Sequence, residues 1–154
     1  MLNTIQYQTL NKHNIQKINT LFYESFIAEP WSLQWNRQIS ENLLDYFINF
    51  PNFSGIMATE NNTPIAAALG SAMPITEGYI FELKEFFVHP KKQKFGIGTQ
   101  LMDELKEQLK KQFSDQEIKI NLMTNKNFPA ARFYAKQGFK QSDGMALFSL
   151  NLDQ

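Results

Sequence analysis

The stretch YIFELKEFFVHPKKQKFGIGTQLM, residues 79–102, contains the transition that decides the fold. Its first part, residues 79–88, is dense in aromatic and branched side chains and is bounded by a glycine and a proline, which predicts a central β-strand. After the turn, apolar residues recur every four positions, which predicts an amphipathic helix over 97–112. A strand, a turn containing glycines and a helix therefore follow one another in this stretch.

The remaining segments alternate between the same two patterns. Strands are predicted at 3–9, at 53–60 and 65–73 as a hairpin, at 117–123 and at 145–152, and helices at 12–27, 37–49 and 129–137. This order, β, α, α, β, β, β, α, β, α, β, predicts an α/β fold with a mixed sheet. Because the sequence has no repeats, low-complexity tracts or linker-like stretches, we expect one domain over residues 1–154.

Composition excludes several classes of protein. The 154 residues are 43% hydrophobic and 14% aromatic, enough for one sizeable core, which excludes a disordered chain. The absence of cysteine excludes disulfides, thiolate zinc sites and thiol nucleophiles. No apolar run approaches the roughly 20 residues that span a bilayer, and the N-terminus lacks the layout of a signal peptide. We therefore expect a soluble cytoplasmic protein that binds neither membranes nor nucleic acid.

Net neutrality conceals an uneven distribution of charge. Residues 1–90 carry eight acidic and four basic side chains, whereas residues 91–154 carry seven acidic and eleven basic ones. Such a split is typical either of solvated surfaces or of a chain that binds an anionic ligand in its second half and a cationic one in its first.

The turn HPKKQKFGIG, residues 89–98, has the properties of a site for a pyrophosphate. Its two glycines let a ligand oxygen approach the backbone, and the first turn of the following helix leaves N–H groups without internal partners. Three nearby lysines add positive charge. The spacing matches neither the GxxxxGKS loop nor the GxGxxG fingerprint, so ordinary turn chemistry and nucleotide binding stay open on these residues alone.

Two blocks of the sequence resemble the signatures of GNAT-type acyl-CoA N-acyltransferases. In VHPKKQKFGIGTQLM, Gln93, Gly96 and Gly98 occupy the defining positions, although arginine is more usual at 93. The second block is NFPAARFYAKQGF, residues 127–139, and the two blocks stand in the expected order. The resemblance implies a mixed, mostly antiparallel sheet of about six or seven strands, flanked by about four helices and splayed at a cleft for acetyl-CoA. We expect no metal.

The resemblance also implies which residues hold acetyl-CoA. The backbone of Phe87 and Val88 would bond the pantetheine arm, and Asn127, Ala130 and Phe133 would line it from the other side. The pyrophosphate would be held by the amides of the turn, which belong to Gln93, Lys94, Phe95, Gly96, Ile97, Gly98 and Thr99.

Three residues are candidates for catalysis. By resemblance, Tyr134 is the general acid that protonates the departing thiolate, and a carboxylate on the central strand removes the acceptor's proton. Glu85 and Glu82 are the candidates, Glu85 being favoured by a likeness to polyamine acetyltransferases. Three residues apart on a regular strand, they would face opposite sides, so only one would enter the cleft unless a bulge intervenes.

These observations predict an N-acetyltransferase that acts on a primary amine of a small cationic acceptor, such as a polyamine or an aminoglycoside. Transfer to proteins or peptides, and a CoA-binding sensor without turnover, are the alternatives. Trp31 and Trp35 would either pack in the core or wall the acceptor site. His13 and His89 show no spacing that predicts a metal site. Members of the superfamily often pair, so the resemblance allows a homodimer.

Overall fold

The structure is a computed structural model that describes residues 4–152. The chain divides into two compact units, Met1–Met123 and Thr124–Gln154. The single domain expected over 1–154 therefore stays a prediction. None of the helices in the described part is long and apolar enough to cross a membrane.

One five-stranded sheet organises the first unit. Its strands are β1 (Ile5–Thr9), β2 (Phe53–Glu60), β3 (Thr63–Ile75), β4 (Gly78–Val88) and β5 (Ile118–Leu122), and they lie in that order across the sheet. The first three pairings are antiparallel and the pairing of β4 with β5 is parallel. The α/β fold with a mixed sheet is as predicted from the sequence.

Helices cover both faces of this sheet. The helices are α1 (Asn19–Ile27), preceded by a 3₁₀ turn at Ile15–Ile18, α2 (Arg37–Ile48) and α3 (Ile97–Gln112). The first helix is thus shorter than the predicted 12–27. The 3₁₀ turn, α1 and α2 bury a cluster that includes Leu69 and Phe87. Side chains alternate along a strand, so Ala66 and Ala68, also fully buried, belong to the other face, which α3 covers.

The part of the second unit that the structure describes, residues 124–152, contains one helix, α4 (Pro129–Lys136), close to the predicted bounds. The final strand predicted at 145–152 was wrong, since these residues form no strand and Phe148, for example, is 91% exposed. Alternating apolar residues give a segment the propensity for a strand, but a strand exists only where a neighbour pairs with its backbone. Over residues 4–152 the sheet consequently has five strands rather than six or seven.

A bulge in β4 interrupts the regular pairing of β4 with β3. Glu85 lies opposite Leu69 and Leu83 lies opposite Gly70, which leaves Lys84 as an extra residue on β4. Gly70 lets the two backbones approach closely here, because a Cβ at this position would lie 2.0 Å from the carbonyl oxygen of Glu82. A side chain at residue 70 would force β3 and β4 apart.

Candidate active site

The turn from β4 into α3 exposes backbone donors. A short 3₁₀ turn at Pro90–Lys92 follows the strand, and Gly96, with φ of +79°, precedes α3 as its N-cap. The first helical hydrogen bond runs from the N–H of Gln100 to the carbonyl of Gly96, at 3.1 Å. The N–H groups of Ile97 and Gly98 come before it, so no carbonyl of α3 accepts from them. This arrangement suits a phosphate at the helix N-terminus.

The three lysines of the turn are not equivalent. Lys92 forms a salt bridge and hydrogen bond with Glu60, at the end of β2, and this carboxylate offsets its charge. Lys91 and Lys94 have exposed side chains. The side-chain amide of Gln93 donates to the carbonyl of Val88 at 3.1 Å, so it braces the turn's own backbone. Positive charge for a ligand therefore comes mainly from Lys91 and Lys94.

The end of β4 extends beyond its pairing with β5. That pairing runs from Tyr79 to Leu83 and then stops, so the sheet opens at the end of β4 that leads into the turn. The N–H of His89 donates to the carbonyl of Ile65 on β3 at 2.8 Å. Because backbone groups alternate in direction along a strand, those of Phe87 face β3, whereas those of Val88 face the open edge. Of the two residues, Val88 is the better placed to bond an extended ligand arm.

The bulge at Lys84 brings both candidate carboxylates to one face of the sheet. Glu82 lies opposite Ser71 and Glu85 lies opposite Leu69, and these partners on β3 are two residues apart. The expectation that the two glutamates face opposite sides holds only for a regular strand. The face that they share is the one covered by α1 and α2.

The two carboxylates differ in their surroundings. The side chain of Glu82 is 37% exposed, and its Oε2 lies 3.9 Å from Nζ of Lys84. Glu85 is half-buried, and burial raises the pKa of its carboxyl to about 8. A carboxyl that titrates near neutral pH is suited to accept and release a proton during turnover.

An aromatic cluster borders the same face. The ring of Phe87, two residues beyond Glu85, lies 5.4 Å from Phe22 and 5.6 Å from Phe26. Trp35 packs edge-on against Phe22 at 5.0 Å, and Trp31 packs against Phe26 at 5.8 Å. Both tryptophans are only partly buried. They therefore contribute to the core, as one of the two roles predicted from the sequence.

The other predicted site residues lie in the second unit. Asn127 is exposed, and its backbone N–H donates to Oδ1 of Asn125 at 2.9 Å. Ala130, Phe133 and Tyr134 belong to α4. The ring of Tyr134 lies 5.5 Å from that of Phe133 and 5.7 Å from that of Phe139. Tyr134 is half-buried among aromatic rings within its own unit.

The sequence profile of the acetyltransferase (GNAT) family matches residues 15–139. The chain belongs to this family. The resemblance predicted from the two sequence blocks is thereby confirmed. No curated protein matches the sequence.

Solved structures share the GNAT fold over nearly the whole chain. Aminoglycoside N-acetyltransferase AAC(6')-Iy in complex with CoA is 12% identical over 99% of this chain and 98% of that one, with a TM-score of 0.74. An aminoglycoside acetyltransferase from an uncultured soil metagenomic sample, in complex with sisomicin, is 17% identical over 97% of each chain, with a TM-score of 0.73. A ribosomal-protein-alanine N-acetyltransferase from Brucella melitensis is 13% identical over 97% of this chain and 100% of that one, with a TM-score of 0.68. At such identities the likeness shows the fold alone.

Sequence reasoning missed two features of this GNAT site. The bulge at Lys84 depends on the register between two strands, which the sequence does not show. Gly70, which pairs with Leu83 beside the bulge, was a residue that could have indicated it. The pairing of Lys92 with Glu60 joins residues 32 positions apart and left no pattern in the sequence. Within residues 4–152, no three side chains of the metal-binding types cluster as a metal site would require.

Proposed function

We propose that this GNAT protein transfers an acetyl group from acetyl-CoA to a primary amine of a small cationic acceptor, by direct attack of the amine on the thioester. The observation that carries the proposal is the position of Glu85, a half-buried carboxyl on β4 four residues before the turn into α3, where burial raises its pKa to about 8. A proton acceptor on β4 and the proposed site for the CoA pyrophosphate therefore lie on consecutive elements, namely the strand, the turn and α3.

The turn supplies the binding groups for CoA. Backbone N–H groups from Gln93 to Thr99 would hold the pyrophosphate, with the positive end of α3 and the side chains of Lys91 and Lys94 adding charge. Val88 would bond the pantetheine arm at the open edge of β4. The complex of AAC(6')-Iy with CoA supports this choice of cosubstrate.

The raised pKa of Glu85 addresses the main chemical obstacle. An alkylamine with a pKa near 10 is unprotonated in only about one molecule in a thousand at pH 7. Moving its proton to a carboxylate of pKa about 8 is uphill by about 3 kcal/mol, against about 7 kcal/mol for a carboxylate of pKa 4.5. Burial therefore makes Glu85 a much stronger base than an exposed glutamate, acting directly or through a water molecule.

The surroundings of Glu85 favour a cationic acceptor. Glu82 presents a second carboxylate on the same face, and the first ninety residues carry twice as many acidic as basic side chains. Trp31 and Trp35 are only partly buried, and aromatic rings of this kind attract a cation. The structural neighbours named as aminoglycoside acetyltransferases support an aminoglycoside-like or polyamine acceptor.

Tyr134 is proposed as the general acid. A phenol with a pKa of about 10 can protonate a thiolate of similar basicity as it leaves. The oxyanion formed by the attack would be stabilised by backbone N–H groups of β4. Because the chain has no cysteine, an acetyl-cysteine intermediate cannot form, and the proposal has the amine attack acetyl-CoA itself.

The proposal is tested with the purified protein, acetyl-CoA and a panel of polyamines, aminoglycosides and peptides. The assay follows release of free thiol and identifies the acetylated product by mass spectrometry. We expect turnover with small cationic amines. Turnover with peptides alone would instead support protein N-acetylation, CoA binding without turnover would support a sensor, and a protein that binds no CoA would refute the proposal.

A further inference from the structure

His89 connects three parts of the first unit at the point where β4 ends. Its backbone N–H donates to Ile65 on β3 at 2.8 Å, and its carbonyl accepts from the N–H of Lys92 at 2.7 Å. Its Nδ1 accepts from the N–H of Lys91 at 3.1 Å. Its Nε2 lies 3.6 Å from Oε2 of Glu24 on α1. Four polar contacts thus converge on the first residue of the phosphate-binding turn.

The imidazole accepts a backbone hydrogen bond, as an asparagine side chain does at a helix N-cap. By accepting from Lys91, Nδ1 fixes the chain direction immediately after the strand, and Pro90 adds a restricted φ. An accepting Nδ1 carries no proton, so in the neutral ring the proton lies on Nε2, on the side of Glu24. The side chain is 28% exposed, and its orientation is held by contacts at both nitrogens.

We infer that His89 is a positioning residue that holds the turn in its phosphate-binding geometry and ties it to α1. The inference rests on the proposed function, because it concerns the affinity for CoA. The hydrogen bond from the Lys91 N–H to His89 fixes the backbone at Lys91, whose side chain supplies part of the charge for the pyrophosphate. Glu24 links the same ring to α1, whose residues Phe22 and Phe26 pack against Phe87.

Three variants separate this role from a general contribution to stability. His89→Asn keeps an acceptor for the Lys91 N–H but cannot reach Glu24, whereas His89→Ala removes both contacts. Glu24→Gln alters only the second contact. His13→Ala changes the chain's other histidine, which is exposed, and serves as the matched control.

Isothermal titration with CoA measures the first consequence. We expect CoA to bind His89→Ala about five- to thirtyfold more weakly than the wild type, which is the effect of losing a cap. Binding to His89→Asn and to Glu24→Gln should weaken by no more than about threefold, because a partly exposed polar contact at 3.6 Å contributes little. His13→Ala should bind as the wild type does. In the acetyl transfer assay, His89→Ala should raise KM for acetyl-CoA by a similar factor and change kcat by less than about twofold.

Hydrogen exchange in the ligand-free protein gives an independent measurement. The amides of Lys91 and Lys92, which both donate to His89, should exchange faster in His89→Ala than in the wild type, and His89→Asn should restore the wild-type rate. Unchanged CoA affinity in His89→Ala, or equal weakening in His89→Ala and His89→Asn, would overturn the inference alone. Wild-type protein that binds no CoA would refute the proposed function, and this inference with it, whatever the exchange data show.

Discussion

Replacing Glu85 by glutamine tests the central chemical claim. The pKa of about 8 means that about 9% of the wild-type carboxyls are ionised at pH 7 and about 91% at pH 9. If the carboxylate is the base, the rate of acetyl transfer that depends on it should rise about tenfold between these values. Glu85→Gln cannot accept the proton. The pH dependence of its remaining rate therefore contains the ionisation of the acceptor amine but not that of residue 85.

The informative quantity is the ratio of wild-type to Glu85→Gln activity, measured by thiol release across pH 6 to 9.5. This ratio removes the effect of pH on the amine, which both proteins share. We expect it to rise with a midpoint near pH 8 and then to level off. Glu82→Gln should keep that midpoint, since Glu82 lies in a more exposed position on the same face. A ratio that does not vary with pH would refute the assignment of Glu85.

The same titration has a consequence for stability, whose sign follows from the direction of the pKa shift. Folding raises the pKa of Glu85 from an ordinary value of 4.5 to about 8, so the folded state binds this proton more tightly than the unfolded state does. The stabilisation is fully present below about pH 4.5 and is lost as the pH rises through about 8. The wild-type Tm should therefore fall more steeply between pH 5 and 9 than the Tm of Glu85→Gln, as scanning calorimetry would show.

Three further substitutions test other parts of the site. Tyr134→Phe should lower kcat by roughly 10- to 1000-fold and leave CoA affinity largely intact; an unchanged kcat would remove Tyr134 from the mechanism. Gly98→Asp should abolish CoA binding in a titration, because a carboxylate at the start of α3 repels the pyrophosphate, and tight binding would mean that the phosphate lies elsewhere. Gly70→Ala should lower the free energy of unfolding by about 2 kcal/mol or more in a urea titration, because its Cβ would lie 2.0 Å from the Glu82 carbonyl; wild-type stability would show that the strands separate readily.

The sequence predicted the parts of this fold that depend on neighbouring residues. The central strand, the turn with its glycines and α3 were all readable, because apolar periodicity and the conformational needs of Gly96 act within one segment. The family followed from two such segments. The shared face of Glu82 and Glu85 was not readable, since a bulge is a property of two strands in register.

Two other features that the sequence did not predict also depend on contacts between distant residues. The pairing of Glu60 with Lys92 brings together residues from separate strands and turns, which no local pattern encodes. The strand predicted at 145–152 failed for the converse reason, because a suitable pattern does not provide a pairing partner. Local chemistry therefore predicted the glycine-containing turn between a strand and a helix, while the details that depend on tertiary contacts required the structure.

The extra residue at Lys84 also affects how this protein is compared with its relatives. In a homologue whose central strand is regular, carboxylates equivalent to these would be two positions apart in the sequence rather than three. An alignment without a gap would then match one glutamate to the wrong column and suggest that a relative lacks it. Superposing strands by their hydrogen-bonded partners on β3 avoids this error, since Ser71 and Leu69 mark the two positions whatever the length of the strand between them.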